Sequence, residues 1–468
     1  MAEQAEGAGK IKLTKMEFGK CSICGETSEN ILRGPAITMN YSGDALHYLL
    51  DALSIIGLYD PATSKAQPGA HVFICDGCAY WIANWFEEQA YQADAEEFRT
   101  RKVKVTPGKI NAILDQHVIG QERAKKSLAV AVWQHYMRVY ASELAVFKPK
   151  RKDNEVDIEK SNVLLIGPTG SGKTLLAKVI ANYLEVPFAT IDASSVTASG
   201  YKGAEASDCL KQLIRSADGD LAAAEHGLIF IDEVDKIVTK DTSGGADVGG
   251  VGAQHAFLKI IEGADVPVEV TLPGGQKTEI TIDTRNILFI ASGAFPGLSK
   301  MVASRTEKKG LGFTSPGARK LSEKEALHKV TPEDISKYGL IPEFCGRFPV
   351  IETLDPLTPD DLRRILTEPK NAVVKQYEKL FRITGVELEV SNEVIDLIVT
   401  EAMTKKTGAR GLRGVIESRL KHVLYSVPDL KQTNTRLQKI TIDKECIEGG
   451  EPKYFYRAPK RKQMVVQE

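Results

Sequence analysis

The sequence lacks three features that would place it in common classes of protein. No apolar run approaches the length of about 20 residues that a membrane-spanning helix needs. Its 61 basic and 62 acidic residues leave a formal net charge of −1, so the chain as a whole has no electrostatic attraction for nucleic acid. Its eight histidines are scattered and no nucleophile elbow accompanies them, so we find no peptidase constellation. Because no secretory signal is recognisable, we expect a cytoplasmic protein, and 468 residues allow about three domains.

A phosphate-binding loop is the strongest motif that is present. The run Gly167–Thr174 matches G-x-x-x-x-G-K-[ST], between a strand pattern at Asn162–Ile166 and a helix pattern at Leu175–Leu184. Glycines let the backbone N–H groups point inward, and the helix N-terminus adds partial positive charge, so the loop suits a triphosphate. We expect Lys173 to reach the β- and γ-phosphates and Thr174 to give its hydroxyl to Mg²⁺. The alternative is a glycine-rich turn that only connects two elements. The residues predicted to bind ATP here are Gly167, Pro168, Thr169, Gly170, Ser171, Gly172, Lys173, Thr174 and Leu175.

Two adjacent carboxylates follow a second apolar strand. The run Leu228–Ile231 ends in Asp232 and Glu233, and consecutive acids at the edge of a sheet are costly unless a cation or a reaction uses them. We expect Asp232 to be the Mg²⁺ partner and Glu233 to polarise the attacking water, since phosphoryl transfer needs a placed nucleophile and charge stabilisation. The alternative is an acid that caps a helix.

The N-terminal part predicts a structural zinc site. Cys21 with Cys24 and Cys75 with Cys78 form two C-x-x-C knuckles that could give four thiolates to Zn²⁺. The long spacer between the two knuckles does not argue against the site. Each doubling of the length of a closed loop costs only about 0.6 kcal/mol in entropy, whereas binding of structural zinc contributes on the order of 10 kcal/mol to folding. Within the spacer, leucines at helical spacing predict a helix at Ser42–Ile56, which could pack on the zinc core or on a second copy. Two redox disulfides are the alternative, disfavoured without a secretory signal.

From Ile110 to Tyr456 the chain resembles the ClpX family, the AAA+ unfoldase subunits of Clp proteases. The segment Asp115–Glu122, with Val118 and Ile119, is similar to the adenine-contacting segment of that family. Pro342–Arg347 resembles its arginine-finger box and Gly408–Arg413 its sensor-2 box. The resemblance implies an α/β fold: an AAA+ P-loop NTPase core with a parallel sheet, a C-terminal α-helical lid domain and a small N-terminal zinc-binding domain.

The expected domain boundaries follow from these motifs and from composition. Residues 1–16 are expected to be disordered and 459–468 to form a tail, with a zinc-binding domain at 17–100, the large ATPase domain at 107–355 and the lid domain at 356–458. In the lid, apolar spacing predicts helices at Asp360–Phe381, Asn392–Lys405 and Val415–Tyr425.

The resemblance also implies that hydrolysis depends on assembly. Arg347 would act on the ATP of a neighbouring subunit, where such fingers are worth roughly 10³ to 10⁵ in rate, and Arg410 would act on its own. The family implies a ring of six identical subunits. Taken alone, each arginine would more often be a surface ion-pair residue.

Three segments correspond to substrate and peptidase contacts of the family. Gly200–Gly203, with Tyr201 and Lys202, is similar to the first pore loop, where a bulky ring can grip a moving chain without demanding a sequence. Ser243–Gly252 lies where a second pore loop is expected. Leu311 and Phe313 are two apolar residues on either side of Gly312, and this segment resembles the loop that docks on the peptidase ClpP. Burial in a partner's pocket would contribute roughly 1.5 to 3 kcal/mol of binding free energy for each of the two side chains. The alternative for Gly200–Gly203 is a simple surface turn. The alternative for Leu311 and Phe313 is that both side chains fold back onto their own domain.

Two departures from the family pattern concern substrates. Lys202 stands where a small aliphatic residue is common. Leu272–Lys277 replaces an Arg-Lys-His loop at the pore entrance, so most of its positive charge is absent. We therefore predict weaker attraction for peptides that end in a free carboxylate and greater reliance on the enlarged zinc domain or on adaptors.

The sequence thus predicts an ATPase, with ATP, Mg²⁺ and Zn²⁺ as cofactors, that unfolds and translocates unfolded or tagged proteins and delivers them to a ClpP-type peptidase. A stand-alone remodeller that works without a peptidase is one alternative. A nucleic-acid motor is another, and it would be stimulated by DNA and indifferent to Tyr201→Ala.

Overall fold

The computed structural model describes residues 14–16, 31–33, 73–75, 105–147, 158–196, 204–239, 248–271, 277–308, 321–405 and 408–457. The chain divides into two compact units, one made of Met1–Lys104 with Ala141–Val156 and the other of Val105–Tyr140 with Asp157–Glu468. Within the described ranges, no helix combines the length and apolar character that crossing a bilayer requires.

The first unit contains a small antiparallel sheet of three strands, β1 (Thr14–Met16), β2 (Ile31–Arg33) and β3 (Phe73–Cys75), in that order. Cys75, a predicted zinc ligand, is the last residue of β3, and its backbone lies opposite Ile31 of β2. The other three predicted ligands, Cys21, Cys24 and Cys78, lie outside the described residues, as does the predicted helix Ser42–Ile56. The zinc site therefore stays a prediction.

The second unit holds the remaining elements, apart from residues 141–147 of the helix Glu122–Phe147, which belong to the first unit. Its strands are β4 (Val163–Ile166), β5 (Phe188–Asp192), β6 (Leu228–Asp232), β7 (Asp265–Thr271), β8 (Lys277–Asp283), β9 (Leu288–Gly293), β10 (Val350–Thr353), β11 (Glu387–Val390), β12 (Leu437–Ile442) and β13 (Lys453–Tyr456). Its first helices are α1 (Pro107–His117), α2 (Glu122–Phe147), α3 (Lys173–Leu184), α4 (Asp208–Ser216), α5 (Leu221–Glu225), α6 (Val248–Ile261), α7 (Leu298–Lys308) and α8 (Glu323–Leu327). The later ones are α9 (Pro332–Tyr338), α10 (Pro342–Gly346), α11 (Pro359–Thr367), α12 (Val373–Ile383), α13 (Asn392–Thr404), α14 (Gly408–Thr433) and α15 (Lys444–Ile447).

A five-stranded parallel sheet forms the centre of the part that the sequence predicts to be the ATPase core, with the strand order β10-β4-β9-β6-β5. Alternate residues of each strand belong to different hydrophobic clusters: Leu164 and Ile166 belong to one, Val163 and Leu165 to another. Both faces of the sheet are therefore covered, which explains why β4, β6 and β9 are buried along nearly their whole length. Because the strands are parallel, the carboxyl ends of β4, β6 and β9 meet at one edge, where ligands bind in open α/β sheets.

The lid has a hydrophobic core of its own, around residues such as Leu366, Phe381 and Leu412. The stretch predicted as one helix, Asp360–Phe381, forms α11 and α12, with Pro369 between them, since proline has no N–H for a continuing helix. The predicted helix Asn392–Lys405 is confirmed as α13, and α14 extends well beyond the predicted Val415–Tyr425. A three-stranded sheet, β11-β12-β13, adds to the helices that the sequence predicted.

Candidate nucleotide site

The phosphate loop connects β4 to α3, as its sequence pattern predicts. The N–H of Gly167 donates to the carbonyl of Gly293 at 3.1 Å, so the loop leaves the sheet beside β9. A Cβ atom at Gly167 would lie 2.9 Å from both the Cβ and the carbonyl oxygen of Leu354, which excludes larger residues. Gly172 has a φ of +101°, in the left-handed region that favours glycine. Two of the glycines that define the motif are thus required by close approach and by backbone conformation.

The side chain of Lys173 is buried in the middle of this loop. Its ammonium donates to the carbonyls of Gly167 at 2.7 Å and Pro168 at 3.0 Å. Burial lowers the pKa of Lys173, whereas the nearby carboxylates of Asp232 and Asp235 act in the opposite direction. A poorly hydrated cation held at this position is a strong partner for an anionic phosphate.

Asp232 ends β6 next to the phosphate loop, and three groups donate to its carboxylate. Ser292 at the end of β9 donates through its hydroxyl at 2.5 Å, the N–H of Glu233 at 3.0 Å and the hydroxyl of Thr174 at 3.4 Å. In octahedral Mg²⁺ coordination, neighbouring oxygen ligands are about 3 Å apart. The hydroxyl of Thr174 and the carboxylate of Asp232 are therefore close enough that both could hold a Mg²⁺ ion, and the roles predicted for them stay predictions.

Glu233 occupies an unusual backbone conformation at the end of β6. Its φ of 56° and ψ of 36° are left-handed, which costs a non-glycine residue on the order of 1 kcal/mol. The residue is exposed and lines the nucleotide cavity. Its carboxylate is thereby available to a water molecule in the cavity, whereas the neighbouring Asp232 is committed to hydroxyl and N–H donors.

Two supporting residues at this edge were not predicted as site residues. Asp235 is buried, and its Oδ1 accepts from the N–H of Ala294 at 3.0 Å, which holds the end of β9 against the turn after β6. Ser292 fixes the orientation of the Asp232 carboxylate. The signal for Ser292 was the same one that revealed Asp232: a polar residue directly after a buried apolar run, here Ile287–Ala291.

A cavity of about 1110 Å³ lies between the ATPase core and the lid. Its core wall includes the loop residues Thr169, Gly170, Gly172, Lys173, Thr174 and Leu175, together with Asp232 and Glu233. The end of α1 adds Ile113, Gln116 and His117, and the lid adds Lys370, Gln376, Arg410 and Arg413. Val118 and Ile119, predicted to contact adenine, are buried directly after α1. Ser171 is also buried, and its N–H donates to the carbonyl of Pro168 at 3.3 Å.

Arg410 belongs to this cavity, in the first turn of α14. It is close enough to Lys173 that its positive charge contributes to lowering the pKa of that lysine. The two cations therefore act on the same part of the cavity, one from the lid and one from the core, which suits an anionic ligand.

Arg347 lies at the opposite end of the sheet from the phosphate loop. Its carbonyl accepts from the side-chain amide of Asn162 at 3.0 Å, and Asn162 directly precedes β4. Gly167 follows β4, so about 16 Å of extended chain separates the two ends of this strand. The guanidinium of Arg347 is half exposed and contacts Glu262 at 2.5 Å. Arg347 therefore does not share a cavity with the phosphate loop of its own chain.

Several predicted contacts lie outside the described residues. They are the pore residues Tyr201 and Lys202, and the docking residues Leu311, Gly312 and Phe313. Of the expected second pore loop, Ser243–Gly252, the residues from Val248 onward belong to the first turns of α6. Of the replaced pore-entrance loop, Lys277 is the first residue of β8, and its ammonium pairs with Glu269 at 2.5 Å.

Comparison with known proteins identifies both parts of the second unit. Residues 158–351 match the family model of the AAA domain (Cdc48 subfamily). Residues 357–442 match the model of the C-terminal, D2-small domain of ClpB protein. The chain is 41% identical over 394 residues to the "ATP-dependent Clp protease ATP-binding subunit ClpX" of Borrelia duttonii (strain Ly), a match that covers 82% of this chain and 88% of that relative.

Proposed function

The chain belongs to the ClpX family of AAA ATPases, and we propose that six copies form a ring that unfolds proteins, translocates them and delivers them to a ClpP-type peptidase. The relative named above is described as the ATP-binding subunit of an ATP-dependent protease. We infer the same division of labour for this chain, with ATP turnover here and peptide-bond cleavage in a partner.

One observation carries the ring: the arginine of the finger box lies at the far end of β4 from the phosphate loop. Asn162 fixes the Arg347 backbone at the amino end of the strand, and Gly167 begins the loop at the carboxyl end. If Arg347 neutralises charge on a γ-phosphate, that phosphate belongs to another subunit. An interface that joins two different surfaces of the same protein closes into a ring when its rotation allows.

The residues of the cavity divide the work of ATP turnover among them. Lys173 and Arg410 hold the phosphates, while Thr174 and Asp232 would hold Mg²⁺, which supplies charge neutralisation when it is bound. Glu233 accepts a proton from the attacking water, and the Arg347 of a neighbouring subunit stabilises charge on the departing γ-phosphoryl group. Lid residues in the cavity wall connect nucleotide occupancy to lid position, and repeated lid movement would drive translocation.

The segment Leu272–Lys277, which replaces the pore-entrance loop of the family, bears on which substrates the protein selects. Its remaining cation, Lys277, pairs with Glu269 across β7 and β8, and that pair raises the pKa of Lys277. A cation already paired with a carboxylate attracts a free C-terminal carboxylate less strongly, especially at physiological salt. We infer that recognition relies on the zinc domain, formed by Cys21, Cys24, Cys75 and Cys78, and on Tyr201 and Lys202 in the pore.

We place the protein in the cytoplasm. The described cysteines Cys209, Cys345 and Cys446 are free thiols and buried, which suits a reducing compartment. Burial raises the pKa of the thiols of Cys209 and Cys345, so neither has the character of a reactive thiolate.

The function is tested with a stably folded fluorescent reporter, with and without a C-terminal tag. We expect ATP-dependent loss of fluorescence by the full chain alone, and release of peptides only after a ClpP-type peptidase is added. Deletion of Leu311–Phe313 should preserve unfolding and abolish peptide release, whereas Tyr201→Ala should slow both. Removal of residues 1–100 should reduce processing of the tagged reporter.

Three outcomes contradict the proposal. Unfolding without any peptidase-dependent cleavage would favour a stand-alone remodeller. ATPase stimulation by DNA, together with indifference to Tyr201→Ala, would favour a nucleic-acid motor. Equal dependence on the tag with and without residues 1–100 would overturn the role given to the zinc domain.

A further inference from the structure

We propose that Glu262 is a positioning residue for ATP hydrolysis: it orients the Arg347 guanidinium before a neighbouring subunit's nucleotide arrives. The proposal rests on the role that Arg347 has in the proposed function. Its starting point is the contact between Arg347 Nη2 and Glu262 Oε1, 2.5 Å long, between side chains that are 48% and 44% exposed.

The backbone of Arg347 is fixed from inside the protein. Asn162 is buried, and its amide group uses both of its ends: Nδ2 donates to the carbonyl of Arg347 at 3.0 Å, and Oδ1 accepts from the N–H of Phe289 at 3.2 Å. Arg347 is also the C-cap of α10, where its N–H donates to the carbonyl of Phe344. The origin of the arginine side chain is therefore tied to the central sheet.

The backbone of Glu262 is fixed by separate contacts. It continues the hydrogen bonding of α6, since its N–H donates to the carbonyl of Leu258 at 2.9 Å. The preceding carbonyl, that of Ile261, accepts from the ammonium of Lys160 at 3.3 Å, and the same ammonium donates to Thr284 at 2.9 Å. Lys160 and Asn162 lie two residues apart, just before β4. Asn162 bonds to the backbone of Arg347 and Lys160 to the residue before Glu262, so together they fix the relative position of the two ion-pair residues.

Because the backbones of Arg347 and Glu262 are both anchored, their ion pair holds the Arg347 guanidinium in one orientation before a phosphate binds. Arginine carries five N–H donors, and the contact of Nη2 with Glu262 does not use the donors on the other two nitrogens, which can bind an anionic partner. A free arginine on a surface loses side-chain freedom when it binds, and a carboxylate that already selects one orientation reduces that loss. The half-exposed position lets a phosphate approach, because the pair is not sealed inside the protein.

The test compares Glu262→Gln with the full-length wild type in steady-state ATP hydrolysis by assembled protein. Loss of orientation should lower kcat by about two- to tenfold and leave KM nearly unchanged, since the finger acts on the transition state. Glu389→Gln is the matched control, because it removes a similarly exposed ion pair with Lys439, 3.0 Å long, in the lid. That control should keep the wild-type kcat.

A second experiment, in the Arg347→Ala variant, distinguishes an effect of Glu262 on Arg347 from a general effect on the structure. In Arg347→Ala, the further change Glu262→Gln should not lower the residual kcat, because the residue that it orients is gone. An additive loss in that background, or a kcat for Glu262→Gln equal to or above wild type, would overturn the inference while leaving the proposed function intact. Wild-type turnover by Arg347→Ala would overturn both.

Discussion

Gly408, the first residue of the lid helix α14, packs on the backbone of Thr169 in the phosphate loop. A Cβ atom at position 408 would lie 3.3 Å from the Thr169 carbonyl oxygen and 3.7 Å from the Cα of Gly170. Gly408 also has a φ of +57°, which glycine adopts without strain. The lid therefore begins in contact with the loop, and the N-termini of α3 and α14 both lie beside the phosphate-binding motif.

This contact predicts that Gly408→Ala weakens nucleotide binding. The added methyl group must displace the loop carbonyl or the helix, and the backbone would be strained at a positive φ. We expect about a three- to tenfold loss of affinity, an order of magnitude set by strain of about 1 kcal/mol, in a titration with a fluorescent ATP analogue. Gly414→Ala is the control, because Gly414 lies on the same helix with open space around it. Equal affinities for the two variants would contradict the account.

The exposed carboxylate of Glu233 predicts a trapped state. Glu233→Gln should bind ATP and lower kcat by roughly 10² to 10⁴, because an amide cannot accept the proton of the attacking water. Glu185→Gln serves as the control: Glu185 is also an exposed glutamate with a positive φ, 55°, but it caps the far end of α3. Retained hydrolysis by Glu233→Gln would remove that residue from the assigned role.

The hydrogen bond from Ser292 to Asp232 predicts a change in Mg²⁺ dependence. Ser292→Ala removes the donor that orients the carboxylate, and partners of this kind are typically worth about 10- to 100-fold in metal affinity. We expect half-maximal ATPase activity at a correspondingly higher Mg²⁺ concentration. Ser299→Ala, which removes a buried serine that bonds to Glu323 on α8, should leave the Mg²⁺ titration unchanged. The role fails if both variants respond to Mg²⁺ like the wild type.

Buried His135 predicts a loss of stability in mild acid. Burial and the charge of Arg138 lower the pKa of His135 to about 3, while its Nε2 bonds to the carbonyl of Asn286 at 3.0 Å. The unfolded chain binds this proton near pH 6.5, so stability is full above 6.5 and decreases as pH falls toward 3. Between pH 6.5 and 5 the decrease should reach about 2 kcal/mol.

The measurement is urea unfolding at several pH values in this range. His135→Gln should flatten the pH dependence, whereas His255→Gln, at an exposed position, should leave it unchanged. Equal slopes for the wild type and His135→Gln would show that His135 is not the group responsible.

The local part of the site could be predicted from the sequence. Strands β4 and β6 are continuous apolar runs and helix α3 has apolar residues at helical spacing, and the motif residues lie directly beside these patterns in the sequence. Asp232 could be identified for this reason. Ser292 carries the same signal, but its hydrogen bond to Asp232 could not be predicted, because Ser292 comes from a strand 60 residues further along the chain and only the parallel order of β6 and β9 brings the two together.

The lid sheet illustrates a second limit. Strands β11 and β13 are only four residues long, too short to show a clear alternation of apolar and polar residues. The partner of β11 is β12, which lies about 50 residues further along the chain, so the sequence near β11 does not indicate the pairing. The break between α11 and α12 could have been read from Pro369, whose predecessor is disfavoured in helical conformation. The apolar spacing on both sides concealed it, because the two helices present compatible faces to one core.

The most direct test of the account mixes two inactive variants. Arg347→Ala has an intact cavity without a working finger, and Glu233→Gln has an intact finger beside a disabled cavity. If the finger acts between subunits, each variant alone should be nearly inactive. An equal mixture should recover about a quarter of wild-type hydrolysis per site, since half of the sites are competent and half of those meet an intact Arg347. A mixture as inactive as its components would show that Arg347 does not act on a neighbour's ATP, and the ring account would be wrong.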